Sequence, residues 1–220
     1  SFSEVQLVVL ILVLLFSFAR SESPCSDTLG GFDVQKNLCV EDFVVSSWDG
    51  QLYVRIRLKS IKQDPRMERP EAAGNADWVC IGDVGGDDAF SIIAWAQQLF
   101  AFHGSAREAA SPFFVHPDRT GPLTYGAALA QFRLLLARVS SPDEAARYGL
   151  HGLRVAGWNG ARQDDAELAV AHGGWHGGSQ HRYDRWGRRA ILAIPATVLA
   201  GADGTLAIPD REGGVELRAA

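Results

Sequence analysis

The sequence predicts an α+β fold that is mainly helical and carries a small antiparallel β-sheet. Two runs of β-branched and aromatic residues lie between Leu38 and Lys59, and Trp48-Asp49-Gly50 separates them. An Asp-Gly pair between two such runs is typical of a β-hairpin. The segment from Asp77 to Val84 has the same composition and predicts a third strand. Most of the remaining chain has apolar residues at helical spacing, which predicts helices.

Capping signals and apolar spacing place the helices that follow the sheet. Pro142 suits the first turn of a helix, and Gly173 suits the position after a helix end. The predicted helices cover Asp88–Phe102, Thr124–Val139, Ser141–Gly149, His151–Ala161, Asp164–His172 and Ser179–Leu192. The segment 193–220 has no clear period and is predicted to be a C-terminal tail, so residues 1–192 form one domain.

An apolar run extends from Val5 to Ala19. Its length is below the roughly 20 residues that a membrane-spanning helix needs, and Glu4 stands where a signal peptide carries a positive flank. On hydropathy alone the run fits either a buried helix of a globular domain or a membrane or secretion segment. Pro24 would end such a helix and would leave Arg20 near its C-terminal end.

Composition limits the classes of function. The chain has 220 residues, 47% of them hydrophobic, which is enough for one good core. Its three cysteines form no C-x-x-C pair, which argues against a disulfide framework and favours a reducing compartment. The formal net charge of -5 has the wrong sign for a protein that binds nucleic acid over its whole surface. Any such role requires local basic patches.

Two segments invite a metal or phosphate interpretation and do not support it. His172 and His176 have the spacing of a helical ligand pair, but two glycines lie between them and no glutamate follows His172. The stretch from Gly82 to Asp88 is rich in glycine but lacks the lysine of a P-loop. The sequence therefore predicts no metal site, and this stretch is interpreted as a turn before a helix.

Basic residues at particular positions suggest an anion site. His151 and Arg154 are three residues apart, so on a helix both would lie on one face. Arginine suits phosphate because its planar guanidinium donates two parallel hydrogen bonds. Arg20 follows the apolar helix, and Lys59 and Lys62 lie where a predicted strand ends. Such cations stabilise a phosphodiester under attack by a tyrosine, and a lysine can protonate the leaving oxygen.

Each of these residues also has an ordinary structural explanation. An arginine after a helix complements the helix dipole, and a tyrosine such as Tyr183 is most often a core or surface aromatic. The order of the motifs carries more information than any single residue. That order is an arginine, a lysine beside a hairpin, His-x-x-Arg, Gly-Gly-Trp and a tyrosine toward the C-terminal end.

This order resembles the catalytic domain of the tyrosine recombinases, the phage-integrase-like family. The resemblance extends from the apolar helix to Leu192 and implies a DNA breaking-rejoining catalytic domain over residues 1–192, with the apolar helix in its core. The matching pieces are FARSE (18–22), KSIKQD (59–64), YGLHGLR (148–154), HGGW (172–175) and HRYDRW (181–186).

The resemblance implies a role for each matched residue. Arg20 and Arg154 would clamp the scissile phosphate, which Trp175 would also contact. His151 would assist proton transfer. Lys62, in its K-x-D context, would be the general acid. Lys59 is the second candidate for that role.

Tyr183 would be the nucleophile. Its attack on a backbone phosphate would give a 3′-phosphotyrosyl intermediate and a free 5′-hydroxyl, with no metal or cofactor. The motif Arg20-Ser21-Glu22 is one residue tighter than the family's usual R-x-x-E. The spacing from Trp175 to Tyr183 is eight positions, where many members have nine.

Local groups of basic residues could bind DNA although the net charge of the chain is negative. They belong to the predicted hairpin and to the segment around Tyr183. Phosphate contacts from such residues supply much of the affinity of a protein for DNA. The predicted DNA-binding residues are Arg55, Arg57, Lys59, Arg182 and Arg185.

The predicted function is site-specific DNA recombination or integration by a mobile-element enzyme. The partners would be double-stranded DNA and three further copies of the chain, without a membrane, and the protein would be intracellular with the DNA, in a nucleus if eukaryotic. The resemblance also implies help from an N-terminal DNA-grasping domain, and no segment of this sequence is predicted to form one. The alternatives are a non-catalytic DNA-binding remnant, a type IB topoisomerase-like enzyme, and a secreted or membrane-anchored protein.

Overall fold

The computed structural model describes residues 1–59, 78–84, 89–104, 107–164, 194–196 and 198–199. Within these ranges, the chain forms α-helices and one three-stranded antiparallel sheet, which confirms the α+β prediction. The elements are α1 (Phe2–Phe16), β1 (Phe43–Trp48), β2 (Gln51–Arg57), β3 (Trp78–Gly82), α2 (Ile92–His103), α3 (Tyr125–Leu136), α4 (Pro142–Arg147) and α5 (Leu150–Asp164).

The apolar run forms the central helix of the core. α1 is apolar on all sides, and such a helix must be buried on all sides. It packs against α2, α3 and α5, and Val9, Leu10, Leu14 and Phe16 are completely inaccessible to solvent. Across the part of the chain that the structure describes, no helix combines the length and apolar character that crossing a membrane requires.

The sheet confirms the predicted hairpin and third strand. β1 and β2 pair in register from Phe43↔Ile56 to Trp48↔Gln51, and β2 also pairs with β3 in antiparallel orientation. Asp49 and Gly50, which connect β1 and β2, both have positive φ, at 51° and 76°. This conformation is characteristic of the tight turn that Asp-Gly favours. In β2, Val54 and Ile56 are buried in the core, whereas Arg55 and Arg57 lie half-buried on the opposite face.

Side-chain caps set the start of three helices. Ser91, Thr124 and Ser141 each accept a hydrogen bond from a backbone N–H in the first turn of α2, α3 and α4. The prediction that the first of these helices begins at Asp88 was wrong, because Ser91 caps the helix. The predicted break after Ala161 was also wrong, since α5 continues through Asp164.

α5 crosses the C-terminal end of α1 at very close range. A Cβ on Gly157 would lie 2.9 Å from the carbonyl carbon of Leu15 and from the ring of Phe18, and closer still to the Leu15 oxygen. One turn later, a Cβ on Gly160 would lie 2.8 Å from the Val198 oxygen. Ile194 and Val198 are buried in the same core, although they belong to the segment predicted as a tail. The glycines of α5 therefore allow two close approaches of the backbone.

Gly157→Ala is expected to destabilise the fold by several kcal/mol, because backbone atoms cannot move aside as a flexible side chain can. The matched control is Gly126→Ala on α3, where a Cβ would meet nothing within 4 Å. That change should stabilise the protein by about 0.5–1 kcal/mol through helix propensity. The measurement is the free energy of unfolding in urea. If both substitutions changed the free energy of unfolding by the same amount, the close approach of α5 to α1 would be contradicted.

At the end of α2, His103 is held neutral inside the fold. Its Nε2 is buried without a hydrogen-bond partner among the described residues, and its ring lies 5.3 Å from that of Phe2. Burial, together with the charges of Arg107 and Arg119, lowers the pKa of His103 to about 4. Protonation of His103 is therefore costly in the folded state.

The sign of this shift predicts how stability depends on pH. Between the ordinary pKa of 6.5 and about 4, the folded protein binds fewer protons at His103 than the unfolded chain does. Stability should therefore be lost as the pH falls through this window, by on the order of 2 kcal/mol. His103→Leu should remove most of this loss, measured as unfolding midpoints between pH 7 and pH 4. A variant with the wild-type profile would contradict the burial of His103.

Candidate functional site

A sharp reversal of the chain at the end of α1 places Arg20. Ser17 caps the helix, and its hydroxyl donates to the Val13 carbonyl at 2.6 Å and accepts from the Ala19 N–H at 3.2 Å. Phe18 then has a φ of 51°, a left-handed conformation that is uncommon for a residue with a side chain. Its ring is 1% exposed, so burial offsets the backbone strain. Arg20 emerges from this reversal, half-buried.

His151 and Arg154 lie in the first turns of α5, as predicted for a pair three residues apart on one helical face. His151 is exposed and Arg154 is half-buried. The adjacent positions Leu150 and Leu153 are buried and hold this part of the helix on the core. Because α5 crosses the end of α1 at Gly157, the two residues lie on the side of the fold from which Arg20 emerges.

The structure brings Arg20, His151 and Arg154 together as a cluster of like charges, which we call the basic cluster. Burial and, to a smaller extent, the charge of Arg20 together lower the pKa of Arg154 to about 10. Burial, followed by the charges of Arg154 and Arg20, also lowers the pKa of His151. The lowered pKa favours the neutral form of His151, which can accept a proton, whereas Arg154 stays charged near pH 7.

Glu22 remains close to this cluster despite the tighter R-S-E motif. Its carboxylate charge favours the charged form of Arg154 and partly opposes the effect of Arg20. Glu22 follows Arg20 in a turn in which the Ser23 N–H donates to the Arg20 carbonyl at 2.9 Å. Although the R-S-E motif is one residue shorter than R-x-x-E, Glu22 therefore still lies near Arg154.

The three basic residues predicted to bind DNA at the hairpin differ in whether they have acidic partners within the protein. Arg57 donates to Asp42 at 2.6 Å and to Glu41 at 2.9 Å, and Lys59 forms an ion pair with Asp42. Arg55 instead lies on the outer face of the sheet, with its guanidinium 4.9 Å from the centre of the Trp78 ring. Of these three predicted DNA-binding residues, Arg55 is the one without an acidic partner among the described residues.

Five other predicted site residues lie outside the residues that the structure describes. They are the proposed nucleophile, the proposed general acid, the tryptophan expected at the scissile phosphate and two predicted DNA-binding arginines. These residues are Tyr183, Lys62, Trp175, Arg182 and Arg185. His172 and His176 also lie outside. In the part of the chain that is described, no three His, Cys, Asp or Glu side chains are grouped as a metal site would require.

Comparison with known proteins identifies no relative, because no family model, no curated protein and no solved structure matches the chain. The assignment of function therefore rests on the motif residues and on the geometry of the basic cluster.

Sequence reasoning did not anticipate three residues that shape this region. Gly157 and Phe18 set the distance between α1 and α5, and Asp42 binds the basic residues of the hairpin. The sequence signal for Asp42 was the acidic pair Glu41 and Asp42, which directly precedes β1. Its partners depend on the register of the sheet, which the sequence alone does not provide.

The basic cluster predicts that an inorganic anion binds to the folded protein and stabilises it. Inorganic phosphate should raise the melting temperature of the wild type by a few degrees and that of Arg154→Met by much less. Chloride at equal ionic strength is the salt control.

The matched variant is Arg133→Met. Arg133 donates to the Tyr148 carbonyl at 3.0 Å, so its loss should cost about 1 kcal/mol and leave the response to phosphate intact. A phosphate response that is equal in Arg154→Met and in the wild type would contradict an anion site at the basic cluster.

Proposed function

We propose that this protein cleaves and rejoins DNA through a covalent tyrosyl intermediate, as tyrosine recombinases do. The observation that carries the proposal is the convergence of Arg20, His151 and Arg154 at the crossing of α1 and α5. These residues come from two segments that are about 130 positions apart in the chain. Ionisable groups whose pKa values are lowered by burial and by neighbouring charges are common at functional sites, which supports the proposal.

The ligand that best fits the basic cluster is a phosphodiester. Two guanidinium groups donate to the non-bridging oxygens and stabilise the negative charge that grows on them during attack. A neutral His151 complements them, because it can take up a proton without adding a third positive charge in the resting protein. Partial burial strengthens these interactions, because fewer water molecules screen them.

In the proposed reaction, the Tyr183 oxygen forms a bond to phosphorus while the bond from phosphorus to the 5′ oxygen breaks. The tyrosine proton passes to a base, for which the neutral His151 is suited. The 5′ oxygen leaves with a proton from Lys62. The phosphodiester becomes a 3′-phosphotyrosyl ester, so the reverse attack by a 5′-hydroxyl restores DNA without an energy source. Trp175 contacts the same phosphate in this scheme.

Arg55 and Trp78 suggest where the flanking DNA lies. Both are on the outer face of the sheet, and the Arg55 Nε is buried without a hydrogen-bond partner among the described residues. In this proposal, a phosphate oxygen accepts from the outer nitrogens of the Arg55 guanidinium. With Arg182 and Arg185, Arg55 would supply the local positive surface that an acidic chain needs to bind DNA. We further propose that recombination takes place in a tetramer on two duplexes.

Tyr183→Phe should abolish covalent attachment to DNA and leave salt-sensitive binding largely unchanged, because the change removes one oxygen. The substrate is a pool of end-labelled, nicked duplexes of randomised sequence, in which cleavage near the nick releases a short fragment and traps the adduct. Denaturing gels then separate protein-linked DNA from free DNA.

The matched control is Tyr53→Phe on β2, which should retain the adduct. An adduct that persists in Tyr183→Phe would exclude this nucleophile. Wild-type protein that binds DNA and forms no adduct would instead favour a non-catalytic remnant. Relaxation of supercoiled plasmid without sequence preference would favour a topoisomerase.

A further inference from the structure

Asn37 is a buried residue whose side-chain amide binds three backbone groups. Its Nδ2 donates to the Glu22 carbonyl at 2.9 Å and to the Cys25 carbonyl at 3.2 Å. Its Oδ1 accepts from the Asp33 N–H at 2.9 Å. An amide side chain has two donor hydrogens, and each of them serves one carbonyl here. Asn37 therefore connects its own segment to a segment that lies 12 to 15 positions earlier in the chain.

The earlier segment is the turn of residues 20–25, which we call the arginine turn. It belongs to neither a helix nor the sheet, so its carbonyls need other partners. The Ser23 N–H donates to the Arg20 carbonyl at 2.9 Å, and the Leu38 N–H donates to the Ser23 carbonyl at 2.8 Å. Three carbonyls of the arginine turn are therefore bound by two consecutive residues, Asn37 and Leu38.

Asn37 and Leu38 are themselves fixed to the core. The Asn37 N–H donates to the Asp33 carbonyl at 2.7 Å, and the Leu38 carbonyl accepts from the Phe113 N–H at 2.9 Å. Leu38 and Phe113 are 3% and 1% exposed and belong to the hydrophobic core. The arginine turn therefore lies between this support and the chain reversal at Phe18, which precedes Arg20 by two positions.

We infer that Asn37 is a positioning residue of the basic cluster, which holds the arginine turn so that Arg20 and Arg154 can bind one phosphate together. The inference rests on the proposed function, in which these two arginines clamp the scissile phosphate. Arg20 is carried by the arginine turn, whereas Arg154 is carried by α5. The position of the turn therefore determines the distance between the two guanidinium groups.

The charges of the cluster explain why the turn needs a support. The charge of Arg20 disfavours the charged form of Arg154, so the two guanidinium groups repel each other. Before a phosphate is bound, a loosely held turn would carry Arg20 away from Arg154. Asn37 opposes this movement through neutral hydrogen bonds, which add no further charge to the site.

The probe for this inference is inorganic phosphate, and its affinity for the full chain is measured by titration calorimetry at constant ionic strength. Asn37→Leu removes the side-chain hydrogen bonds at a similar volume and without adding charge. It should weaken phosphate binding about tenfold or more, because a displaced Arg20 loses its charge-assisted hydrogen bonds to the anion. Circular dichroism checks that the variant is folded.

Gln6→Met is the matched control. Gln6 is also a buried amide, and it donates to the Val115 carbonyl at 2.7 Å and accepts from the Val115 N–H at 2.8 Å. It lies near the start of α1, whereas the basic cluster lies at the other end of that helix. Its loss should lower the stability of the fold and change the phosphate affinity by less than about twofold.

A double variant tests whether Asn37 acts through Arg20. Arg20→Met alone should weaken phosphate binding. Adding Asn37→Leu should then weaken it no further, because the group that Asn37 positions is already absent.

Three results would overturn the inference. They are an unchanged phosphate affinity in Asn37→Leu, an equal loss of affinity in Gln6→Met, and additive losses in the double variant. If Asn37→Leu does not fold, Asn37→Ser takes its place, since its single donor hydrogen cannot serve both carbonyls. A wild type that binds no phosphate would refute the anion site and this inference together.

Covalent trapping of DNA distinguishes failure of this inference from failure of the proposed function. Phosphate binding that depends on Asn37, in a wild type that forms no adduct, would refute the proposed function and leave the role of Asn37 in anion binding intact. An adduct that Asn37→Leu forms at the wild-type rate would refute this inference alone.

Discussion

The geometry of the candidate site depends on how closely α5 approaches the end of α1. At the crossing, Gly157 leaves no room for a side chain against Leu15 and Phe18. His151 and Arg154 lie about 9 Å and 4.5 Å along α5 from that glycine, at 1.5 Å per residue. A wider crossing would move both residues away from Arg20 and would reduce the effect of each charge on the others. The close packing of two backbones therefore determines the electrostatics of the basic cluster.

The chain reversal at Phe18 also constrains the position of Arg20. A left-handed residue with a side chain costs about 1 kcal/mol or more, and burial of an aromatic ring contributes about 2 kcal/mol in return. The ring of Phe18 packs where α5 comes closest, so the contact that allows the crossing also stabilises the strained turn. Helix crossing, turn and position of Arg20 are therefore interdependent, and a change in one would alter all three.

Local chemistry made much of the fold predictable, and tertiary contacts decided the rest. Asp49 and Gly50 predicted the hairpin because the tight turn requires positive φ. His151 and Arg154 were placed on one face because helical spacing is fixed. The partners of Arg57 and Lys59 were not predictable, because a run such as RIRLK has the same appearance whether its cations face DNA or a buried Asp42.

The basic residues of the protein lie in two different electrostatic environments, and this difference bears on function. Around Asp42, a carboxylate without exposure to solvent is matched by two cations, and the lysine has no free donor. At the basic cluster, burial and neighbouring positive charges disfavour the charged forms of His151 and Arg154, whereas Glu22 favours the charged form of Arg154. The first arrangement is complete without a ligand. In the proposed reaction, the second would interact most strongly with a phosphodiester that gains negative charge in the transition state.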